Sequence, residues 1–196
     1  MEVVIATGNM GKLAEFRQML APLDMTLRVQ SEFNTESAEE TGLTFVENAI
    51  LKARHAARIS GLPAIADDSG LEVQYLKGAP GIYSSRFAGE NASDNDNIEK
   101  LLHDLEGVPT AQRKARFQCV LVYMRHADDP IPVICQGSWE GYILEEPVGH
   151  QGHGYDPVFF VPETNCSAAE LEPAQKNILS HRATAMQKLL KELENL

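Results

Sequence analysis

Apolar positions along the chain repeat with two periods, and each period predicts an element. Val3 to Ala6 is a short, β-branched apolar run that ends in Thr-Gly-Asn and reads as a buried strand. Leu13, Phe16 and Leu20 then return at helical spacing, and Pro22 stops the helix. Met25 to Val29 reads as a second strand, and the polar, acidic stretch Ser31 to Gly42 as a loop. Thr44 and Glu47 have capping-box spacing, so they open a helix that runs to about Ser60, with Gly61 as its stop signal. Ala64 to Ala66 is an apolar run that breaks at Asp67-Asp68-Ser69-Gly70. This predicts a strand entering a tight acidic turn, with Leu71 to Tyr75 as the returning strand.

In the second half the pattern changes. Gly78 to Asn97 is rich in Gly, Ser and Asn and reads as a long loop, a kind of segment that often carries function. Ile98 to Leu105 is helical. Arg116 to Arg125 and Ile131 to Trp139 are β-rich and joined through Asp128-Asp129-Pro130, which predicts a hairpin that Gly141 to Leu144 extends. Gly149 to Pro157 is a second glycine-rich loop before a strand at Val158 to Val161. Ala174 to Ser180 reads as a short helix, and Met186, Leu189, Leu190 and Leu193 share one face of the last one. Helices and strands alternate early and hairpins dominate later. The class is therefore α/β, three-layer, with a mixed central sheet.

Length and charge narrow this further. The 196 residues fit one domain, or one domain of two lobes, and we read 1–196 as a single domain. Against 17 Lys and Arg stand 28 Asp and Glu, a net charge of -11, which lacks the footprint of a general duplex-DNA or membrane-surface binder. Three cysteines with no C-x-x-C fit a reducing compartment. The opening MEVVIATGNMGK does not read as a signal peptide, and no stretch approaches the ~20 apolar residues of a membrane span, so a cytoplasmic location is expected.

Five groups of residues could carry chemistry. Thr7-Gly8-Asn9-Met10-Gly11-Lys12 lies between strand and helix, where exposed backbone N–H groups and one ammonium make a phosphate site; the alternative is a glycine-eased turn. Asp67-Asp68-Ser69-Gly70 offers carboxylates that point different ways, one for Mg²⁺ or a water and one to prop the turn; the alternative is an Asx-turn. Glu39-Glu40-Thr41-Gly42 is either a solvated acidic loop or the source of a companion ligand for Asp68. Gly152-His153-Gly154-Tyr155-Asp156-Pro157 sets two rings between glycines, either to stack on a base or to pack in a turn. Lys176, His181 and Arg182 are cations near a helix junction, either an oxygen-binding corner or an ordinary charged surface. On the second helix, Lys52 is the cation expected to turn inward, because it follows Ile50-Leu51 and precedes Ala53.

Taken together, ATGNMGK, SAEETGLTFVENAILKARHAA, AIADDSGLEV, GAPGIYSSRFAGE, GHGYDPVFF and SHRATA resemble, in order and over nearly the whole chain, the inosine triphosphate pyrophosphatase (Ham1-like) family. The resemblance implies an elongated two-lobed α/β domain with an active-site cleft between the lobes, a homodimer, and Mg²⁺ as cofactor. It implies hydrolysis of ITP, dITP and XTP to the monophosphate and pyrophosphate, cleansing the nucleotide pool. Thr7 to Lys12 would then hold the triphosphate, with Lys12 and Lys52 offsetting charge on the leaving pyrophosphate. Asp68 would be proton acceptor and metal ligand, Glu40 a second acid at the metal, and Ser69 a substrate contact. His153, Gly154, Tyr155, Asp156, Lys176, His181 and Arg182 would form the base and ribose side. Relatives commonly show Phe where this chain has His153, a ring that stacks but also titrates, with an unperturbed pKa of about 6.5. The implied reaction is attack of water on the α-phosphorus, which needs charge neutralisation more than covalent chemistry. A donor-rich edge at His181-Arg182 would favour a 6-oxo purine over adenine. The competing readings are a nucleotide sensor without turnover, cleavage at the γ-phosphate, and a pyrophosphatase without base preference.

Overall fold

The strand opened by Val3 to Ala6 forms as β1 (Glu2–Ala6), hydrogen-bonded in parallel to β2 (Thr26–Val29) on one side and to β3 (Ala64–Val73) on the other. Val4 pairs with Arg28 and with Ala64, and Ile5 with Val29 and with Ile65. The computed structural model of the chain describes residues 1–7, 10–33 and 36–195, with Met10 and Gly11 described by backbone only. Beyond β3 the sheet continues through β4 (Lys114–Met124), β5 (Val133–Ile143), β6 (Phe159–Val161) and β7 (Cys166–Ser167), in the order β2-β1-β3-β4-β5-β6-β7. The last two pairings are antiparallel, so the sheet is mixed, as the periodicity predicts. Among the described residues the α-helices are α1 (Met10–Leu20), α2 (Phe45–Ser60), α3 (Asp94–Asp104), α4 (Pro173–Leu179) and α5 (His181–Leu193).

The chain divides into two compact units. The first comprises residues 1–68, 119–137 and 182–196. Here the period-2 alternation of the strands sorts side chains between two cores. Val3, Ile5, Ile65 and Leu121 pack with Leu13, Phe16 and Leu20 of α1 and Met186 and Leu189 of α5. Val4, Ala6, Ala64, Ala66, Val120 and Val122 face the other way, onto Ala49, Ala53, Ala56 and Ala57 of α2. An alanine face brings that helix close to the strands, so a larger side chain at the fully buried Ala53 would overpack by about 1–3 kcal/mol. The second unit comprises residues 69–118 and 138–181. Its core gathers Leu71, Ile98, Leu101, Phe117, Trp139, Tyr155, Phe159 and Leu171.

Helix α2 keeps both expected ends. Thr44 Oγ1 accepts from Glu47 N at 3.3 Å, and Gly61, at φ 69°, donates its N–H to Ala57 O at 3.0 Å. The returning carboxylate of Glu47 reaches Leu43 N at 2.9 Å and the Thr44 hydroxyl at 2.7 Å.

Two elements differ from the reading of the sequence. There is no acidic turn at Asp67-Asp68: β3 runs unbroken from Ala64 to Val73, carrying both aspartates and Gly70 inside it. Two adjacent carboxylates can sit in a buried strand because each meets its own cation, as described below. The long loop after Gly78 is also shorter than expected. It holds a 3-10 turn at Gly81–Arg86, and α3 begins at Asp94 instead of Ile98. Ser93 Oγ accepts from Asp96 N at 3.2 Å and Asp96 Oδ2 accepts from Ser93 N at 2.7 Å, a capping box that starts the helix one turn earlier.

Candidate active site

The first unit builds its site from the alternation within β3. Asp67 shares a strand face with Ile65, toward α1 and α5, and Asp68 shares one with Ala64 and Ala66, toward α2. On the first face, Lys12 of α1 donates its Nζ to Asp67 Oδ2 at 2.6 Å. Arg182, at the start of α5, holds Glu15 through Nη1 and brings Nη2 within 3.9 Å of the same Asp67 oxygen. Burial alone would raise the carboxyl of Asp67, but Lys12, Arg182 and Lys52 outweigh it and hold that group well below the usual carboxylate range. Asp67 is therefore a fixed anion that organises cations.

The second face has a different balance. Lys52 of α2 donates to Asp68 Oδ1 at 2.7 Å and lies 3.2 Å from Glu40 Oε1. Burial pushes the Asp68 carboxyl up; Lys52 opposes this, while Glu40 and Asp67 add to it, and the net direction is upward. Burial works against the Lys52 ammonium, but the carboxylates of Asp67, Asp68 and Glu40 prevail and raise its pKa. Asp68 Oδ2 is buried and has no hydrogen-bond partner among the described residues. A carboxylate oxygen left unpaired in the interior costs free energy unless something occupies it. That oxygen, with Glu40 nearby, suits a hard divalent cation whose remaining ligands come from water or phosphate. Among the described residues no group of three or more His, Cys, Asp and Glu side chains gathers as a metal site.

Of the candidate phosphate segment 7–12, the described residues lie at the end of β1 and the start of α1. Thr7 is half-buried just after β1, and Met10 and Gly11 open the helix that carries Lys12. Gly8 and Asn9, and the side chain of Met10, lie outside the described residues. Ser69 continues β3, half-buried, directly after Asp68.

In the second unit the loop from 149 to 157 is knotted around Asp156, which is 2 % exposed. Its Oδ2 accepts from His153 N at 2.8 Å and from the Lys176 ammonium. A Cβ at Gly152, at φ 79°, would fall 2.1 Å from that oxygen, so only glycine admits this closure. Gly154 N donates to Asp94 Oδ2 at 2.7 Å. The two rings of the loop separate. His153 is exposed, whereas Tyr155 is buried, packs in the core and donates its hydroxyl to Ser84 O at 2.7 Å. Tyr155 thus takes the packed-turn alternative, and burial, with Asp94 adding to it, pushes its hydroxyl far up.

The three cations near the α4–α5 junction have different partners. Lys176 pairs with Asp156. His181 stacks on Phe117, with ring centroids 4.9 Å apart and planes at 16°. That stack continues into Phe159 and Trp139, whose buried indole N–H has no hydrogen-bond partner among the described residues. Arg182 belongs to the first unit and is 4 % exposed; its Nη1 meets Glu15 and its Nη2 faces Asp67, while its Nε is buried without a hydrogen-bond partner among the described residues. The sequence reading missed Glu15 and Asp67 as counter-ions, and Asp94 as the anchor of Gly154. Glu15 stands three positions after Lys12 on one helix, a spacing that hinted at a shared face. The other two had no local signal.

The Ham1 family profile matches residues 3–192. The chain belongs to the Ham1 family. The dITP/XTP pyrophosphatase of Vibrio cholerae is 62% identical over 193 residues, 98% of this chain and 96% of that protein. That of Photobacterium profundum is 60% identical over 99% of this chain and 98% of its own length. Among solved structures, a HAM1 protein from Coxiella burnetii superposes with a TM-score of 0.95 at 49% identity, covering 100% of both chains. The Staphylococcus aureus Ham1 protein superposes with a TM-score of 0.90 at 43% identity, over 100% of this chain and 99% of that one. In this Ham1-family chain, AIADDSGLEV forms β3 and FVENAILKARHAARIS forms α2, the two elements that bring Asp68 and Lys52 together.

Proposed function

We propose that this protein hydrolyses deaminated purine nucleoside triphosphates, dITP and XTP together with ITP, to the monophosphate and pyrophosphate. The observation that carries the reading is Asp68: a buried carboxylate with one oxygen on Lys52, the other unpaired among the described residues, and Glu40 on the same ammonium. The Vibrio cholerae and Photobacterium profundum relatives carry the name dITP/XTP pyrophosphatase. Asp68 places and deprotonates the attacking water, a role favoured by a pKa shifted upward. Lys52 holds Asp68 and Glu40 in register, and Lys12, released from Asp67, offsets charge on the pyrophosphate. For the purine, the reading assigns His153, Lys176 and His181.

Glu40 and Asp68 are the residues that would hold Mg²⁺, and the unpaired Asp68 oxygen supports that assignment. Bound there, the ion supplies charge neutralisation for phosphate oxygens. The wider reading is a cytoplasmic homodimer that removes deaminated nucleotides from the pool. The net charge of -11 supports a small-molecule substrate over nucleic acid or a membrane surface. Steady-state rates on dITP, XTP, ITP, GTP and ATP with Mg²⁺, with products separated by ion exchange, test the proposal. The matching monophosphate (deoxyinosine, inosine or xanthosine monophosphate) plus pyrophosphate is expected. Diphosphate plus inorganic phosphate, or equal rates on ATP, would overturn it.

A further inference from the structure

We infer that Asn48 is a positioning residue for Glu40, fixing the loop that brings this acid to Lys52 and Asp68. The inference rests on the proposed pairing of Glu40 with Asp68. Asn48 is 0 % exposed on α2, whose other buried positions, 49, 53, 56 and 57, are all alanine. Its Oδ1 accepts from Gly42 N at 2.8 Å, and its Nδ2 is buried without a hydrogen-bond partner among the described residues. An amide half-satisfied in the interior is costlier than the alanine its neighbours use, so the accepted bond must supply something alanine cannot.

What it supplies is a fixed point on the acidic loop. A Cβ at Gly42 would lie 2.5 Å from Glu47 Cβ and 2.7 Å from Asn48 Oδ1, so the loop backbone rests directly on the first turns of α2. Leu43 N is also held, by Glu47 Oε2 at 2.9 Å. Glu40 is two residues before this anchor, a tether of at most about 7 Å. Its carboxylate meets Lys52 at 3.2 Å, and Lys52 stands one helical turn beyond Asn48 on the same face. One face of α2 therefore both anchors the loop and receives the acid that the loop presents.

The test is a double-mutant cycle with two readouts, the Mn²⁺ midpoint from paramagnetic titration of the protein with the metal alone, and the Mg²⁺ midpoint for dITP hydrolysis. Asn48→Ala should raise both midpoints about tenfold, the lower end of what removing a residue that orients a metal ligand costs. The kcat at saturating Mg²⁺ should stay within about threefold. Asn48→Asp keeps the acceptor for Gly42 N and should leave the midpoints within about threefold of wild type. In a Glu40→Gln background, Asn48→Ala should add less than about twofold, because its effect runs through Glu40. An equal shift in both backgrounds, an unchanged Mn²⁺ midpoint in folded Asn48→Ala, or an Asn48→Asp as impaired as the alanine variant overturns the inference. Should circular dichroism show that Asn48→Ala does not fold, Gly42→Ala decides: it pushes the loop off the helix and should give the same tenfold shift, and a wild-type midpoint there refutes the assignment. A wild type that binds Mn²⁺ but leaves dITP intact removes the proposed activity while the Mn²⁺ cycle still judges Asn48. A wild type that binds no Mn²⁺ removes the Glu40–Asp68 pairing and this inference with it.

Discussion

Asp67 and Asp68 are neighbours in β3, yet each is held by a lysine from a different helix: Lys12 lies 2.6 Å from Asp67, and Lys52 lies 2.7 Å from Asp68. The alternation of a strand turns one dipeptide into two separate charge sites. The two substitutions should therefore fail differently. Asp68→Asn keeps the shape and removes the proposed base, so kcat on dITP should drop about 10²–10⁴-fold with little change in Tm. Asp67→Asn strips the shared anion from Lys12 and the buried Arg182, and should lower stability by about 3–5 kcal/mol. Thermal melts alongside kcat check both, and a Tm loss confined to the Asp68 variant would reverse the assignment.

Chelation should separate activity from folding. Two carboxylates and an ammonium do not make a structural metal site. EDTA should abolish dITP hydrolysis and Mg²⁺ restore it, while the melting curve stays in place. Full hydrolysis after exhaustive chelation contradicts the proposed role of Glu40 and Asp68.

His153 projects from a loop whose backbone is pinned by Asp156 and, one residue on, by Asp94. If its exposed ring stacks on the purine, His153→Phe should leave the KM for ITP near the wild-type value. His153→Ala should raise it by the ~1–3 kcal/mol that base stacking is worth. An alanine variant with wild-type KM would make His153 a plain loop residue.

Asp129 gives a pH signature unrelated to the active site. Its carboxylate accepts from Arg125 Nη2 at 2.6 Å, Arg125 Nε at 2.8 Å, Arg125 N at 3.0 Å and Ile131 N at 3.1 Å. The Arg125 side chain chiefly, with the two backbone N–H groups, outweighs burial and holds its carboxyl well below the usual range. The native group therefore titrates below its unfolded value of about 3.9. Its stabilisation is complete above about pH 5 and is lost as pH falls through the native value. Asp129→Asn should cost about 1–3 kcal/mol at pH 7. The Tm difference from wild type should shrink as the pH is taken below 4. A difference that grows toward acid would show that another interaction dominates.

Much of this was legible in the sequence because it is local. Thr44, Glu47 and Gly61 bound α2 through contacts within four residues, and Lys52 turns inward because its neighbours are apolar. The unbroken β3 was not legible. Two adjacent acids look like a turn until Lys12 and Lys52, 55 and 16 residues away, are seen to neutralise them. The partners of Arg182 were hidden for the same reason. Arg182 follows His181 in sequence, but its partners are Glu15, 167 residues earlier, and Asp67. The start of α3 is a different case, since Ser93 and Asp96 carried a capping signal that the surrounding Gly and Asn residues obscured.

The aromatic stack of the second unit contains the chain's single tryptophan. Trp139 is buried against Phe159, and its indole N–H is unpaired among the described residues. Its emission should therefore be short in wavelength and should shift red when that core opens to water. Because the first unit holds no tryptophan, intrinsic fluorescence follows one unit, whereas far-ultraviolet dichroism follows the helices of both. Comparing the two signals along a urea series would reveal whether the units melt as one cooperative body: coincident curves mean a single transition, and displaced curves mean two.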